Sequence, residues 1–225
     1  MSWNKPDSYF RADRTGFLNW IDGHWRRVLE IGCGTGGTAP WLRAHGAQEI
    51  VGVEPDERAA AEASKSFDRV FPMTVEGALS RLGTTPFDLI ICADVLEHLV
   101  DPWATVSALR GVSDSSTRLA VSIPNVRYFK ALWEIGFGRG FAYPLDGTYD
   151  PQSIFDTTHL RFFARSNVKD MLESGGWVAE RWGIPPRRRL VTLRNSVDSL
   201  SRGWLREYMT YQWYVISTPH QDERP

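Results

Sequence analysis

Residues 27–31, Arg-Val-Leu-Glu-Ile, run without a break into Gly32-Cys33-Gly34-Thr35-Gly36-Gly37. A β-branched run, closely spaced glycines and then a helix-forming stretch predict a strand, a tight turn and a helix. The glycines let a ligand come close to the backbone of that turn. The same alternation continues along the chain. Short β-branched runs at 27–31, 49–53, 69–75, 87–93 and 117–123 are separated by helix-period stretches after Gly36, Asp56, Glu76 and Asp94. This rhythm predicts a parallel sheet covered by helices on both faces. A helix over 9–21, stopped by Asp22-Gly23, precedes the first strand. Beyond Asn125 the rhythm breaks into a glycine- and aromatic-rich stretch, then resumes with a helix over 166–174 and strands near 177–183 and 211–217. Residues 124–163 are expected to form an insertion covering the substrate at the sheet's carboxyl edge, where open α/β sheets bind ligands.

Composition narrows the partners. The 225 residues are 42% hydrophobic, enough for one α/β domain with a real core, and no repeat or linker divides them. A single domain spanning 1–225 is expected. With 26 basic and 27 acidic residues the net charge is −1, so no global field draws the chain to nucleic acid or an anionic membrane. The only local basic stretch, Arg187, Arg188, Arg189 and Arg194, suits a solvated loop or a phosphate-bearing substrate such as a nucleotide sugar. It gives a nucleic-acid backbone little footing, and nucleic acid is not expected as a partner. The apolar runs are strand-length, short of the roughly 20 residues a bilayer span needs, and no apolar leader opens the chain. Two cysteines, Cys33 and Cys92, make neither a zinc ribbon nor a disulfide framework. A reducing, cytoplasmic setting is expected. No feature sets an oligomeric state.

Two cofactor readings fit the glycine turn. Gly32, Gly34 and Gly37 match the dinucleotide fingerprint, whereas Glu30, Gly32, Gly34 and Gly36 match the acidic-x-G-x-G-x-G loop of S-adenosylmethionine (SAM) enzymes. A carboxylate at residue 30 would repel a pyrophosphate but favour the ammonium of a methionine moiety, so SAM is preferred over NAD. Glu54, closing the second strand, can accept both ribose hydroxyls of an adenosine in either case, or be a solvated loop acid.

The segments VLEIGCGTGG, VGVEP, FDLIICADVLEHLVDP and SIPNVRYF together resemble the class I SAM-dependent methyltransferases over residues 9–217. The resemblance implies a Rossmann-like seven-stranded α/β fold, mostly parallel, with SAM as cofactor. It assigns Glu30, Gly32, Gly34 and Gly36 to the methionyl part, Glu54 and Pro55 to the ribose, and Glu76, Gly77 and Ala78 to the adenine. Ala78 stands where an acidic residue is frequent in the family. Tyr9 and Arg14 resemble residues that close over the SAM carboxylate. The segment Asp156-Thr157-Thr158-His159-Leu160-Arg161-Phe162-Phe163 resembles bacterial methyltransferases associated with sugars and cell-surface glycans.

Methyl transfer from a sulfonium is an in-line displacement that needs alignment above all. An alcohol acceptor must also lose a proton, to a general base or through a metal ion. Asp94, Glu97 and His98 follow the fourth strand at i, i+3 and i+4. If a helix begins there they share a face, and Asp94 would also join the cofactor's surroundings. With His159 they would offer two carboxylates and two imidazoles to Mn²⁺ or Mg²⁺, able to grip a vicinal diol. A similar acid–acid–histidine pattern with a distant histidine occurs in ubiquinone-pathway and small-RNA O-methyltransferases. Three other readings stay open: metal-free base catalysis by His98 or His159, purely structural histidines, and Asp94-x-x-Glu97 as a helix capping box. The insertion's rings, among them Tyr128, Phe129, Trp133, Phe137, Phe162 and Phe163, are expected mostly to pack onto the sheet, the remainder to stack on substrate. The expected activity is O-methylation of a hydroxyl on a sugar, glycan or other diol-containing small molecule. The alternatives are N-methylation of an amine, an NAD-dependent oxidoreductase, and a non-catalytic SAM-binding subunit.

Overall fold

The computed structural model describes residues 10, 14–138, 140, 158–185 and 205–221. Seven strands form one sheet: β1 (Arg27–Ile31), β2 (Glu49–Val53), β3 (Arg69–Phe71), β4 (Leu89–Ala93), β5 (Arg118–Pro124), β6 (Trp177–Gly183) and β7 (Gln212–Pro219). Their spatial order is β3-β2-β1-β4-β5-β7-β6. Strands β1 to β5 pair in parallel, and β7 enters antiparallel between β5 and β6. The expected Rossmann-like sheet is therefore present, and its order reverses between β1 and β4. The crevice beyond that reversal is where an open α/β sheet accepts a ligand.

The near-continuous apolar strands are explained by burial on both faces. Along β4, Leu89, Ile91 and Ala93 face one core and Ile90 and Cys92 the other, the two-residue period of a strand. Helices α1 (Thr15–Leu18), α2 (Ala39–Ala44) and α3 (Glu57–Ala63) contribute Phe17, Leu18, Leu42 and Ala63 to the first core. Helices α4 (Val75–Leu79), α5 (Pro102–Ala108) and α7 (Arg165–Ser174) contribute Val75, Val106, Val168, Met171 and Leu172 to the second. Among the described residues, no helix is long and apolar enough to cross a membrane.

Several boundaries differ from expectation. The run 69–75 forms a strand only to Phe71, because Pro72 has no N–H for the ladder and Thr74 already serves as N-cap of α4. No α-helix starts after Asp94. A 3-10 turn, Leu96–His98, occupies that place, and α5 begins at Pro102 behind Asp101, whose carboxylate accepts from the Ala104 N–H. An N-cap aspartate followed by proline is the stronger start signal. The leading helix is described only over α1, with Tyr9 outside the described residues.

The insertion is pinned at its base by a parallel bridge between Asn125 and Phe163 and carries α6 (Phe129–Phe137). Residues 141–157 lie outside the described part. Of its described rings, Tyr128 and Phe163 are buried, whereas Phe129, Trp133 and Phe137 are exposed, so fewer of them pack onto the sheet than expected. A short helix α8 (Arg206–Met209) leads into β7.

Gly52 in the middle of β2 is a close-approach glycine. A Cβ there would lie 2.6 Å from Cys33 Sγ and 3.0 Å from the Phe67 ring. Gly52→Ala is expected to lower stability by about 1–3 kcal/mol through overpacking, read as a lower urea midpoint. An unchanged midpoint would show that Cys33 yields without cost.

Candidate active site

The crevice is built from the ends of β1 and β4. At the end of β1 the Glu30 side chain is fully buried, and burial pushes its carboxyl up against the opposing pull of its partners. Arg14 Nη1 donates to Glu30 Oε1 at 2.6 Å, and the Thr38 hydroxyl donates to Oε2. Arg14 Nη2 also donates to the Gly32 carbonyl at 3.0 Å. The arginine loses solvation in this position, but the charges of Glu30 and Asp94 outweigh that and raise its pKa. Glu30 is thus not an open acceptor at the mouth of the turn. Both its oxygens are engaged by the protein, and its charge is balanced by Arg14.

The turn itself decides between the two glycine readings. Gly32, Gly34 and Gly36 have φ of 67°, 54° and 80°, in the left-handed region. A Cβ on Gly34 would meet the Phe10 carbonyl at 2.5 Å, and one on Gly36 would meet Ser66 Oγ at 2.8 Å. Gly37 has an ordinary φ, and a Cβ on it would meet nothing within 4 Å. The third glycine of a dinucleotide fingerprint is needed for close helix–strand packing, and Gly37 does not have that role. The glycines the backbone requires are those of the SAM loop.

Glu54 closes β2 beside the turn. Its Oε2 accepts from the Gly34 N–H at 2.9 Å and its Oε1 from the Asp56 N–H at 3.0 Å. Burial pushes its carboxyl up, and these two N–H donors oppose that. Pro55 follows at the surface. On α4, Glu76 and Gly77 are exposed, while Ala78 is fully buried in the core. Both cysteines are buried and unpaired, with Cys33 pushed up by burial and the Glu30 charge and Cys92 pushed up to about 12 by the same causes. Neither is a reactive thiol.

Across the crevice, Asp94 directly follows β4 with φ 54°, the only non-glycine described residue in the left-handed region. That conformation costs about 1–2 kcal/mol for most L-residues, less for Asp, and it turns the side chain away from the 3-10 turn that follows. Asp94 Oδ1 accepts from the Ser122 hydroxyl at 3.0 Å and from Gln212 Nε2 at 2.6 Å. The Gln212 amide also donates to Ser122 Oγ at 2.7 Å, closing a triangle across β4, β5 and β7. Asp94 therefore does not join Glu97 and His98, and it caps no helix. Ser122 opens the SIPNVRYF segment, where the resemblance assigns it no role, and Gln212 lies outside every quoted motif.

Glu97, His98 and His159 do come together, with one ligand atom from each within 4.8 Å of the others. Main-chain bonds bring the distant histidine in: the Glu97 carbonyl accepts from both the Leu160 and Arg161 N–H groups, at 2.8 and 3.0 Å. Arg161 Nη2 further bonds the Val100 carbonyl. The two imidazoles meet edge-to-face with centroids 4.7 Å apart, and His159 Nε2 lies 3.9 Å from Glu97 Oε1. His98 Nδ1 stands 3.1 Å from the Thr158 carbonyl and 3.0 Å from the Thr158 hydroxyl, so Thr158 holds that edge of the ring and orients the imidazole in the cluster. Two histidines and one carboxylate suit Mn²⁺ better than Mg²⁺, which prefers an all-oxygen shell. The arginine stretch 187–194 lies outside the described residues.

The family described as methyltransferase domain matches residues 9–180. A ubiquinone biosynthesis O-methyltransferase of Paracidovorax citrulli is 33% identical over 172 residues, 71% of each chain. Among solved structures, a SAM-dependent methyltransferase from Archaeoglobus fulgidus superposes with a TM-score of 0.62 at 18% identity, covering 96% of each chain. Magnesium protoporphyrin IX methyltransferase from Synechocystis, with bound S-adenosylhomocysteine, gives 0.57 at 18% identity over 95% of this chain and 83% of its own. The chain belongs to the class I SAM-dependent methyltransferases. Its cofactor is SAM, and the NAD reading of the glycine turn falls away.

Removing Arg14 would strand a buried carboxylate. Arg14→Met is expected to cost about 3–5 kcal/mol in denaturant unfolding, with the Arg14→Met/Glu30→Gln double variant recovering part of that loss. Additive losses would show that the two side chains are not coupled.

Proposed function

We propose that the enzyme methylates a hydroxyl oxygen of a small molecule carrying a neighbouring hydroxyl, such as a sugar, a glycan or another vicinal diol. A divalent cation held by Glu97, His98 and His159 assists. The observation that supports this reading is the cluster itself, two imidazoles and a carboxylate converging within 4.8 Å just beyond the end of β4. The relative named for O-methylation points to the same acceptor atom.

Bound SAM supplies a methyl group on a positively charged sulfur, so that a new O–CH₃ bond forms as the C–S bond breaks and the sulfur becomes a neutral thioether. A cation at the cluster would lower the pKa of the hydroxyl that attacks and hold the second hydroxyl beside it. The chain's own residues set the geometry. Glu97, anchored through its carbonyl to residues 160 and 161, fixes the distance between the cluster and β4. With the cation bound, the His159 nitrogen is a ligand and the proton of the acidified hydroxyl leaves to solvent. Only in the cation-free alternative does that nitrogen take the proton, giving an imidazolium beside the Glu97 carboxylate. The product is a neutral ether either way. The Phe162 ring, in edge contact with His159, forms a wall on which an acceptor ring can stack and which keeps water from the reacting oxygen. Glu54 would turn its two oxygens from the Gly34 and Asp56 N–H groups toward the ribose hydroxyls.

The test is transfer of labelled methyl from SAM to a panel of nucleotide sugars, glycans and simple vicinal diols, with chelator and with added Mn²⁺. Chelation is expected to abolish transfer and Mn²⁺ to restore it. His159→Ala should lose about 10²–10⁴-fold in transfer while keeping its affinity for S-adenosylhomocysteine. Full transfer after exhaustive chelation would remove the cation from the account, and equal loss of cofactor affinity in His159→Ala would make that residue structural.

A further inference from the structure

The cofactor's methionyl end carries an ammonium group, and three carboxylates stand around the crevice. Two have both oxygens engaged by the protein: Glu30 by Arg14 and Thr38, and Glu54 by the Gly34 and Asp56 N–H groups. Asp94 differs from both. Its two hydrogen bonds, from Ser122 and Gln212, converge on Oδ1 alone, and among the described residues Oδ2 accepts none. The side chain is only half-buried, and it lies close enough to Arg14 for the two charges to interact. Position and strain agree with a ligand role. Asp94 directly follows β4 where the strand order reverses, opposite the glycine turn of β1, and its left-handed backbone is the kind of local strain that concentrates at binding sites.

We infer that Gln212 and Ser122 are positioning residues that clamp one oxygen of Asp94 so that its other oxygen meets the methionyl ammonium of SAM. This rests on placing Asp94 among the cofactor's contacts. The triangle has one consistent donor arrangement. The Gln212 amide gives one proton to Asp94 Oδ1 and one to Ser122 Oγ, and the serine gives its own proton to Asp94. With the amide reversed, its oxygen would face the carboxylate, and the network would lose two bonds. The antiparallel insertion of β7 beside β5 is what delivers Gln212, since Gln212 pairs in register with Pro124, two residues past Ser122. β7 thereby acts on the cofactor end of the crevice as well as closing the sheet.

The experiment is calorimetric titration of the whole chain with S-adenosylhomocysteine and with the same molecule lacking its α-amino group. The wild type is expected to prefer the amine-bearing ligand, and Asp94→Asn to lose that preference. Gln212→Ala should lose about tenfold in affinity for S-adenosylhomocysteine, as for a weakened hydrogen bond to a charged group, and under about twofold for the deaminated ligand. Ser122→Ala should shift the same ratio in the same direction, and it serves as the test if Gln212→Ala does not fold. Equal losses for both ligands in Gln212→Ala, with Asp94→Asn still losing the preference for the amine, would leave Gln212 structural and overturn the inference alone. A wild type indifferent to the amino group would instead remove Asp94 from the cofactor.

Discussion

A fully buried carboxylate at the end of β1 is the feature on which the rest of the crevice depends. Taking Glu30 out of water costs several kcal/mol unless it is paired and hydrogen-bonded, and the chain meets that demand from two sides. Arg14 comes from the segment preceding the sheet and Thr38 from the residue before α2. The pair therefore fixes three things together: where the leading segment crosses, where α2 begins, and how the glycine turn between them is held. The second guanidinium bond, to the Gly32 carbonyl, extends the same lock into the turn.

From that lock the crevice divides into a local half and a long-range half. The half around the glycine turn comes from the ends of β1 and β2, two adjacent strands, with Arg14 reaching in from the segment before the sheet. The half around the histidines needs residues about sixty apart: Glu97 and His98 on a 3-10 turn, Thr158 and His159 beyond α6 in sequence. Main-chain bonds to the Glu97 carbonyl hold those two pieces together. Asp94 stands between the halves, held from β5 and β7 rather than from its own turn.

Much of this was legible in the sequence, for physical reasons that differ by part. The apolar strands of a sheet buried on both faces read as continuous β-branched runs, so β1, β2, β4 and β5 could be placed from composition alone. The glycine turn was equally plain, and the preference for Gly36 over Gly37, drawn from the charge of Glu30, agrees with the backbone angles. The joining of Glu97, His98 and His159 followed from chemistry, since a carboxylate and two imidazoles form a recognisable donor set. What could not be read was conformation against the local trend. Helical spacing placed Asp94 with Glu97 and His98, but a left-handed φ breaks the wheel on which that spacing depends. Pro72 ended β3 earlier than the β-branched run suggested. Gln212 matched no motif, because an amide 118 residues from its carboxylate partner is located by strand order and register alone.

The central claim is that a glycine turn locked by a buried Arg14–Glu30 pair accepts the methionyl end of SAM and not a pyrophosphate. Isothermal titration of the purified chain with S-adenosylhomocysteine and, separately, with NAD tests it most directly. One equivalent of S-adenosylhomocysteine bound, with no heat from NAD at the same concentrations, is the predicted result. Saturable NAD binding with no uptake of S-adenosylhomocysteine would contradict it.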